Sequence, residues 1–376
     1  MAEKRLTIAM LGHKHVLSRE GGIEIVVREL ATRMTAKGHR VICYDRSTAH
    51  VSGVEVANVT DYEGIKIIPV WTIEKKGFAA ITSSISAAWQ ASKSEAEVVH
   101  IHAEGPAAMC WIPKLKGKKV IVTVHGLDWA RAKWGRFAKK YIRLGERQAV
   151  KYADEIIVLS HNLQDYFKTT YGRETIFIPN GITKPIIQSA KEIKEKWDLE
   201  KDQYVLFLGR VVPEKGLRYL IEAWKNLRTD KKLVIAGGSS DTDEFVAELK
   251  SVATENVIFT GFQQGRILEE LYSNAYIYVL PSDLEGMPLS LLEAMSYGNC
   301  CLVSDIPECI EVVEDKAVTF KHSNTKDLER VLQKLLDSPE LVCRYKSISS
   351  EYICHKYNWD DVVEKTLQLY TKDNRK

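Results

Sequence analysis

Short aliphatic runs alternate along this chain with longer stretches in which apolar side chains return every three or four positions. In the first half the runs are LTIAML, HRVICYD, IKIIPV, EVVHIH, KVIVTVH and EIIVLS. Each holds few polar residues, as a strand covered on both faces requires, so each predicts a buried parallel strand. Between the first two, Ile23, Val26, Val27, Leu30, Ala31 and Met34 recur at helical spacing. The pattern restarts with YVLFLG, KLVIAGG, VIFTG, YIYVL and CCLVSD, again with helical stretches between. Alternation of this kind builds a parallel sheet with helices on both faces, and here it occurs twice. The expected fold is α/β, two doubly wound, Rossmann-like domains.

The periodicity breaks at IPNGITKPI, where Asn-Gly and a proline follow Ile178. This predicts domains at 1–183 and 184–357, with a terminal helix in 358–376 completing the first. Two such sheets leave a cleft at their carboxyl ends, where folds of this class bind ligands. With 376 residues, 45% of them apolar and 27% charged, the chain has material for two cores. The net charge of +3 hides an asymmetry: 27 Lys and Arg against 18 Asp and Glu in 1–183, and 26 against 32 in 184–376. A basic first half suggests an anionic partner for it.

Seven scattered cysteines, never spaced Cys-x-x-Cys, predict reduced thiols, with neither a disulfide framework nor a zinc site. The opening MAEKRLTIAMLGHKH reaches charged residues too soon for a signal-peptide core, and no run approaches the roughly 20 apolar residues of a membrane span. The expected location is the cytoplasm.

Candidate chemistry gathers in three stretches. In PSDLEGMPLSLLEAMSYG, residues 281–298, Pro288 suits the first helical position and Leu289, Leu292 and Met295 form a buried stripe. Glu285 then lies before the helix and Glu293 inside it. N–H groups near Leu289 and Ser290 lack intrahelical partners, which makes the helix start an anion site suited to phosphate. Alternatively, Glu285 stabilises the helix electrostatically and Glu293 is solvated. In FLGRVVPEKGL, Arg210 and Lys215 follow a strand end and can neutralise a diphosphate. The competing reading is a surface ion pair between Lys215 and Glu214 or another neighbour. In SREGGIEIVVREL, Gly21 and Gly22 open the first long helix, and no Gly-x-Gly-x-x-Gly fingerprint follows the first strand.

Taken together, Gly21-Gly22 in a Gly-Gly-x-Glu turn, VTVHG around His125, IPNG, FLGRVVPEKG, TGF at 260–262 and the pair Glu285 and Glu293 resemble the family 4 glycosyltransferases of GT-B fold. The resemblance spans nearly the whole chain in the right order. It implies a retaining transferase whose second domain holds a UDP-, GDP- or dTDP-linked sugar and whose first binds the acceptor, with no metal required. By position, Arg210 and Lys215 would hold the diphosphate and Glu293 the ribose hydroxyls. Backbone N–H groups at Gly286, Met287 and Leu289, flanking Pro288, which has none, would help the same phosphates. Glu285 and His125 would meet the donor sugar, Gly261 and Phe262 the base, and Gly21 and Gly22 the phosphates and acceptor.

Asp241-Thr242-Asp243 imitates the metal motif of another glycosyltransferase fold, but a helix start favours aspartates as caps. His100 and His102 share one strand face, as substrate contacts or as ordinary polar strand-end residues. Segment 129–151 interleaves Arg131, Lys133, Arg136, Lys139, Lys140, Arg143 and Arg147 with Trp129, Trp134, Phe137 and Tyr141. It reads as a face for an anionic membrane carrying a lipid-linked or other saccharide acceptor, or as a solvated helix with inward aromatics. Nucleic acid is not expected, since the total charge is near neutral and no known module is present. Gly126 through Trp134 resembles transferases of bacterial capsule and cell-wall polysaccharide assembly, including rhamnosyltransferases. The rivals are a non-hydrolysing nucleotide-sugar epimerase and a non-catalytic sugar-binding protein.

Overall fold

A computed structural model describes residues 4–47, 59–75, 77–131, 134–239 and 242–372. The chain divides into two compact units, Met1–Asn180 with Trp359–Lys376, and Gly181–Asn358.

The first unit is built on β1 (Thr7–Leu11), β2 (Arg40–Arg46), β3 (Asp61–Tyr62), β4 (Ile65–Val70), β5 (Val98–His102), β6 (Lys119–Val124), β7 (Glu155–Val158) and β8 (Ile176–Phe177). Their order is β3-β4-β2-β1-β5-β6-β7-β8. Neighbours pair in parallel except β3 and β4, an antiparallel edge that the sequence pattern did not predict. The chain winds from β1 to β2, then returns to β5, so its direction reverses between β1 and β5. The helix Gly22–Ala36 buries Val26, Val27, Leu30, Ala31 and Met34 as its spacing predicts. Ile23 is only half-buried and Glu24 is buried instead, because its carboxylate turns back to accept the Lys14 N–H at 2.8 Å. The helix Trp359–Thr371 packs on this helix, with the Arg33 guanidinium 5.8 Å from the Trp359 ring.

The second unit carries β9 (Tyr204–Leu208), β10 (Lys232–Ala236), β11 (Val257–Gly261), β12 (Ile277–Leu280), β13 (Cys300–Ser304) and β14 (Val318–Phe320). This sheet is wholly parallel, in the order β11-β10-β9-β12-β13-β14, and its winding reverses between β9 and β12. Tyr204, Phe207 and Tyr278 are fully buried within it. Every run singled out from the pattern forms a strand, with ends that agree to within two residues. The strands it does not mark, β3, β8 and β14, are two or three residues long, too short for a periodic signal.

Candidate functional site

In an open α/β sheet the loops beside the winding reversal splay apart and leave a crevice at the strand ends. In the second unit those are the loops after β9 and β12. Asp283 N–H donates to the Glu214 carbonyl at 2.9 Å, joining one loop to the other. Gly216 has φ +68°, and a Cβ there would overlap the Pro281 carbonyl oxygen, so the position admits glycine for both reasons. This close approach sets Lys215 Nζ 2.5 Å from Glu285 Oε1, with side chains only 12% and 9% exposed. Ser282 Oγ donates to the same oxygen at 2.6 Å. Lys215 is therefore not in a surface pair with Glu214; it points inward, because the two loops are clamped. Its ammonium has three donors, of which Glu285 takes one. Asp283 is held in turn by Tyr219 Oη at 3.0 Å and Ser323 Oγ at 2.6 Å.

The helix after this loop is Leu289–Ser296, with Pro288 just before it as the extended cap, at ψ 93°, instead of its first residue. Leu292 and Met295 are buried, as are Leu291 and Ala294, while Leu289 in the open first turn is half-buried. Met287 and Gly286 are buried behind the turn. Among the described residues, the N–H groups of Gly286, Leu289 and Ser290 donate to no protein acceptor. Glu293 is not simply solvated: Tyr272 Oη donates to its Oε2 at 2.9 Å. The Tyr272 ring is stacked on Tyr297, with centroids 5.2 Å apart. Burial and the adjacent Glu293 charge push the Tyr272 pKa well up, so its hydroxyl stays a neutral donor.

Arg210 is half-buried in the loop after β9. Backbone bonds stitch this loop to its neighbours: Gly209 N–H to Ala236 O at 3.0 Å, Val211 N–H to Gly238 O at 3.0 Å, and Gly237 N–H to Gly261 O at 2.9 Å. The same loops border an open groove of 340 Å³ lined by Val211, Gly237, Gly238, Val246, Phe259 and Gly261. Gly261 is exposed and Phe262 half-buried beside Gly238. One end of one sheet thus assembles two cations, two carboxylates, free N–H groups and a largely apolar groove that also carries Ser239, Asp243 and Lys250, a set suited to an anion joined to a polyol and a flat ring.

In the first unit His125 follows β6 and is half-buried, its Nε2 3.1 Å from His102 Nδ1. His102 and His100 are fully buried, with ring centroids 4.1 Å apart, because close-packed neighbours cover the carboxyl end of β5. His100 is hydrogen-bonded to the hydroxyls of Tyr370 and Thr123, each at 2.6 Å. Burial pushes the pKa of His100 down to about 3 and that of His125 down to about 4, and holds His102 well below the ordinary range. All three are neutral near pH 7. Gly21 caps the first helix in an extended conformation, Gly22 is exposed, and Glu24 packs into the space beside Gly21.

Sequence reasoning missed Tyr272, Ser282, Asp283 and the buried pair of His13 Nε2 and Asp45 Oδ1 at 2.8 Å. Their only signal is polarity inside apolar surroundings. Lys133 and Asp241 lie outside the described residues; Asp243 opens the helix Asp243–Val252 and accepts from Ser239 Oγ. The basic segment forms a short turn, Asp128–Ala130, and the helix Arg136–Tyr152. Its aromatics divide: Trp129 lies 4.1 Å beneath Arg143, whereas Phe137 is 77% exposed.

Residues 189–352 match the family model described as Glycosyl transferases group 1, and residues 20–184 match Glycosyltransferase Family 4. An uncharacterized glycosyltransferase of Methanocaldococcus jannaschii is 23% identical over 97% of this chain and 98% of its own. Sucrose-phosphate synthase from Thermosynechococcus elongatus shares the fold with a TM-score of 0.82, at 19% identity over 98% of both chains. Anabaena HepE, solved in complex with UDP and glucose, does so with a TM-score of 0.81, at 14% identity over 97% of this chain and 99% of its own.

Proposed function

Since this chain belongs to the family 4 glycosyltransferases of GT-B fold, we propose that it is a retaining transferase that takes a sugar from a nucleoside diphosphate to a saccharide or lipid-linked acceptor. The observation that carries this reading is the clamp of Lys215 and Glu285 beside the open start of the Leu289–Ser296 helix. As the anomeric C–O bond breaks, negative charge grows on the departing diphosphate. Lys215, Arg210 and the free N–H groups stabilise that charge without help from a metal. Glu285, fixed by Lys215 and Ser282, accepts from donor-sugar hydroxyls, and Glu293 accepts from the ribose. The groove beside Gly261 and Phe262 takes the base. In a front-face route the acceptor oxygen bonds to the anomeric carbon on the face that the phosphate leaves, and the acceptor proton passes to a phosphate oxygen. The first unit binds the acceptor, where His125 and the Gly21-Gly22 turn contact substrate.

The work takes place in the cytoplasm, at the inner face of the membrane, in the assembly of a cell-surface polysaccharide. Among the described residues no helix is long and apolar enough to cross a membrane. Three neighbouring helices support a peripheral contact: Phe78–Lys93, Trp111–Leu115 and Arg136–Tyr152. They expose Phe78, Trp89, Trp111, Leu115, Phe137 and Leu144. The first two carry no acidic residue, and Glu146 on the third is buried. Apolar side chains among cations are what an anionic lipid surface retains.

UDP-, GDP- and dTDP-sugars are to be screened by thermal shift, UDP-glucose first, then tested for transfer to lipid-linked saccharides. A donor at 100 times its dissociation constant adds about 2.7 kcal/mol of stability. Stabilisation by none of them, with no transfer, overturns the assignment; epimerised donor without transfer replaces it with the epimerase reading.

A further inference from the structure

The winding of the first sheet reverses between β1 and β5, and His102 closes β5 at that point. Its surroundings hold it still. Gly12, at φ +109°, packs so tightly on the His102 carbonyl that a Cβ would overlap it. The His100 ring covers another side, and the following Ala103 takes φ +78°, which a residue with a side chain adopts only when its neighbours enforce it. Beyond the pairing with His125, the other ring nitrogen of His102, Nε2, is buried and has no hydrogen-bond partner among the described residues.

That orphan nitrogen decides where the protons lie. Were His125 to donate from Nε2, His102 would have to carry its own proton on Nε2, a buried N–H with no acceptor, the rarer kind of unsatisfied group. With the proton on His102 Nδ1, only a lone pair is left unpaired. His100 offers a contrast, because both its nitrogens face hydroxyls, which donate or accept as required.

We propose that His102 is a positioning residue: its Nδ1–H donates to His125 Nε2 and so fixes the His125 proton on Nδ1, which serves as a donor toward bound substrate. This rests on the role given to His125 above. The charged groups next to His125 are Asp128 and Arg131, paired with each other at 3.1 Å, and their opposite effects on the ring leave the His102 contact to set its tautomer.

The first measurement is nitrogen NMR of the histidine side chains in the full-length protein, with His125 assigned through His125→Gln. A His125 protonated on Nδ1 supports the proposal; one protonated on Nε2 overturns it, and no variant of His102 has to fold for this to be read. Kinetics then separate positioning from packing. His102→Leu should lower kcat by about 10- to 100-fold, the range seen when a partner that orients a metal-bound histidine is lost, with the donor KM within about twofold. His102→Asn, whose amide N–H lies where Nδ1–H did, should recover most of it. His102→Leu combined with His125→Gln should be no slower than His125→Gln alone. Equal losses for Leu and Asn, or additive losses in the double variant, overturn the proposal. If no donor supports transfer, the catalytic reading fails, while the NMR result still decides the tautomer.

Discussion

Lys215 and Glu285 show why a motif residue is not an isolated contact. Each is the other's counter-ion in a nearly dry site, so Lys215→Ala removes the proposed phosphate ligand and also strands a nearly buried carboxylate. Breaking such a pair costs about 3 kcal/mol or more, so the melting temperature should drop along with turnover. Lys215→Met with Glu285→Gln removes both charges and should restore most of the stability but not the turnover; recovery of turnover would count against the assigned roles. Glu293 is a milder case. Glu293→Ala leaves the Tyr272 hydroxyl only the Ser290 carbonyl, at 3.3 Å, and should weaken nucleotide binding by about tenfold, or about 1.4 kcal/mol, measurable by calorimetry. Unchanged affinity would remove Glu293 from the donor site.

At the scale of elements, the candidate site depends on two loops being clamped together. Gly216 is the tightest point, since its positive φ and its contact with Pro281 each exclude a side chain. Gly216→Ala should destabilise by about 2–4 kcal/mol, combining left-handed strain with displacement of the Pro281 loop. It should also lower turnover, because Lys215 and Glu285 move apart. An unaltered denaturation midpoint would show that the clamp gives way cheaply. The Leu289–Ser296 helix makes the complementary point: Leu292 and Met295 follow the periodic pattern, while Pro288 lies one position outside the helix that the pattern assigns it to.

For the whole molecule, the clearest consequence is the response to acid. His100, His102 and His125 are neutral when folded, with pKa values depressed by burial. A depressed histidine contributes stability above its unfolded pKa of about 6.5 and loses it as pH falls toward the folded value. Glu104 opposes this: burial and the neighbouring Glu146 raise its pKa well above the carboxylate range, so its contribution is lost as pH rises. Between pH 6.5 and 4.5 three histidine protons outweigh one from Glu104, giving a slope of at most about 2.7 kcal/mol per pH unit. Urea melts across this window should show stability falling with pH, and His100→Gln should flatten the slope. A flat profile would mean that these histidines are open to solvent.

The sequence alone determined the two parallel-sheet units, since buried strands must be apolar throughout and covering helices must be apolar on one face. It also marked Lys215, Glu285 and Glu293 by their place at strand and helix ends, and His125 through the resemblance of the stretch around it to a family motif. Only tertiary structure decided that Lys215 faces Glu285 and not Glu214, that Tyr272 holds Glu293, and that His102 lies buried against His125. These pairs join positions 70, 21 and 23 residues apart, and no local pattern encodes a contact made by the chain's return. The edge strands stayed hidden for a related reason: two or three residues are too few to show a period, and the sheet beside them supplies the order.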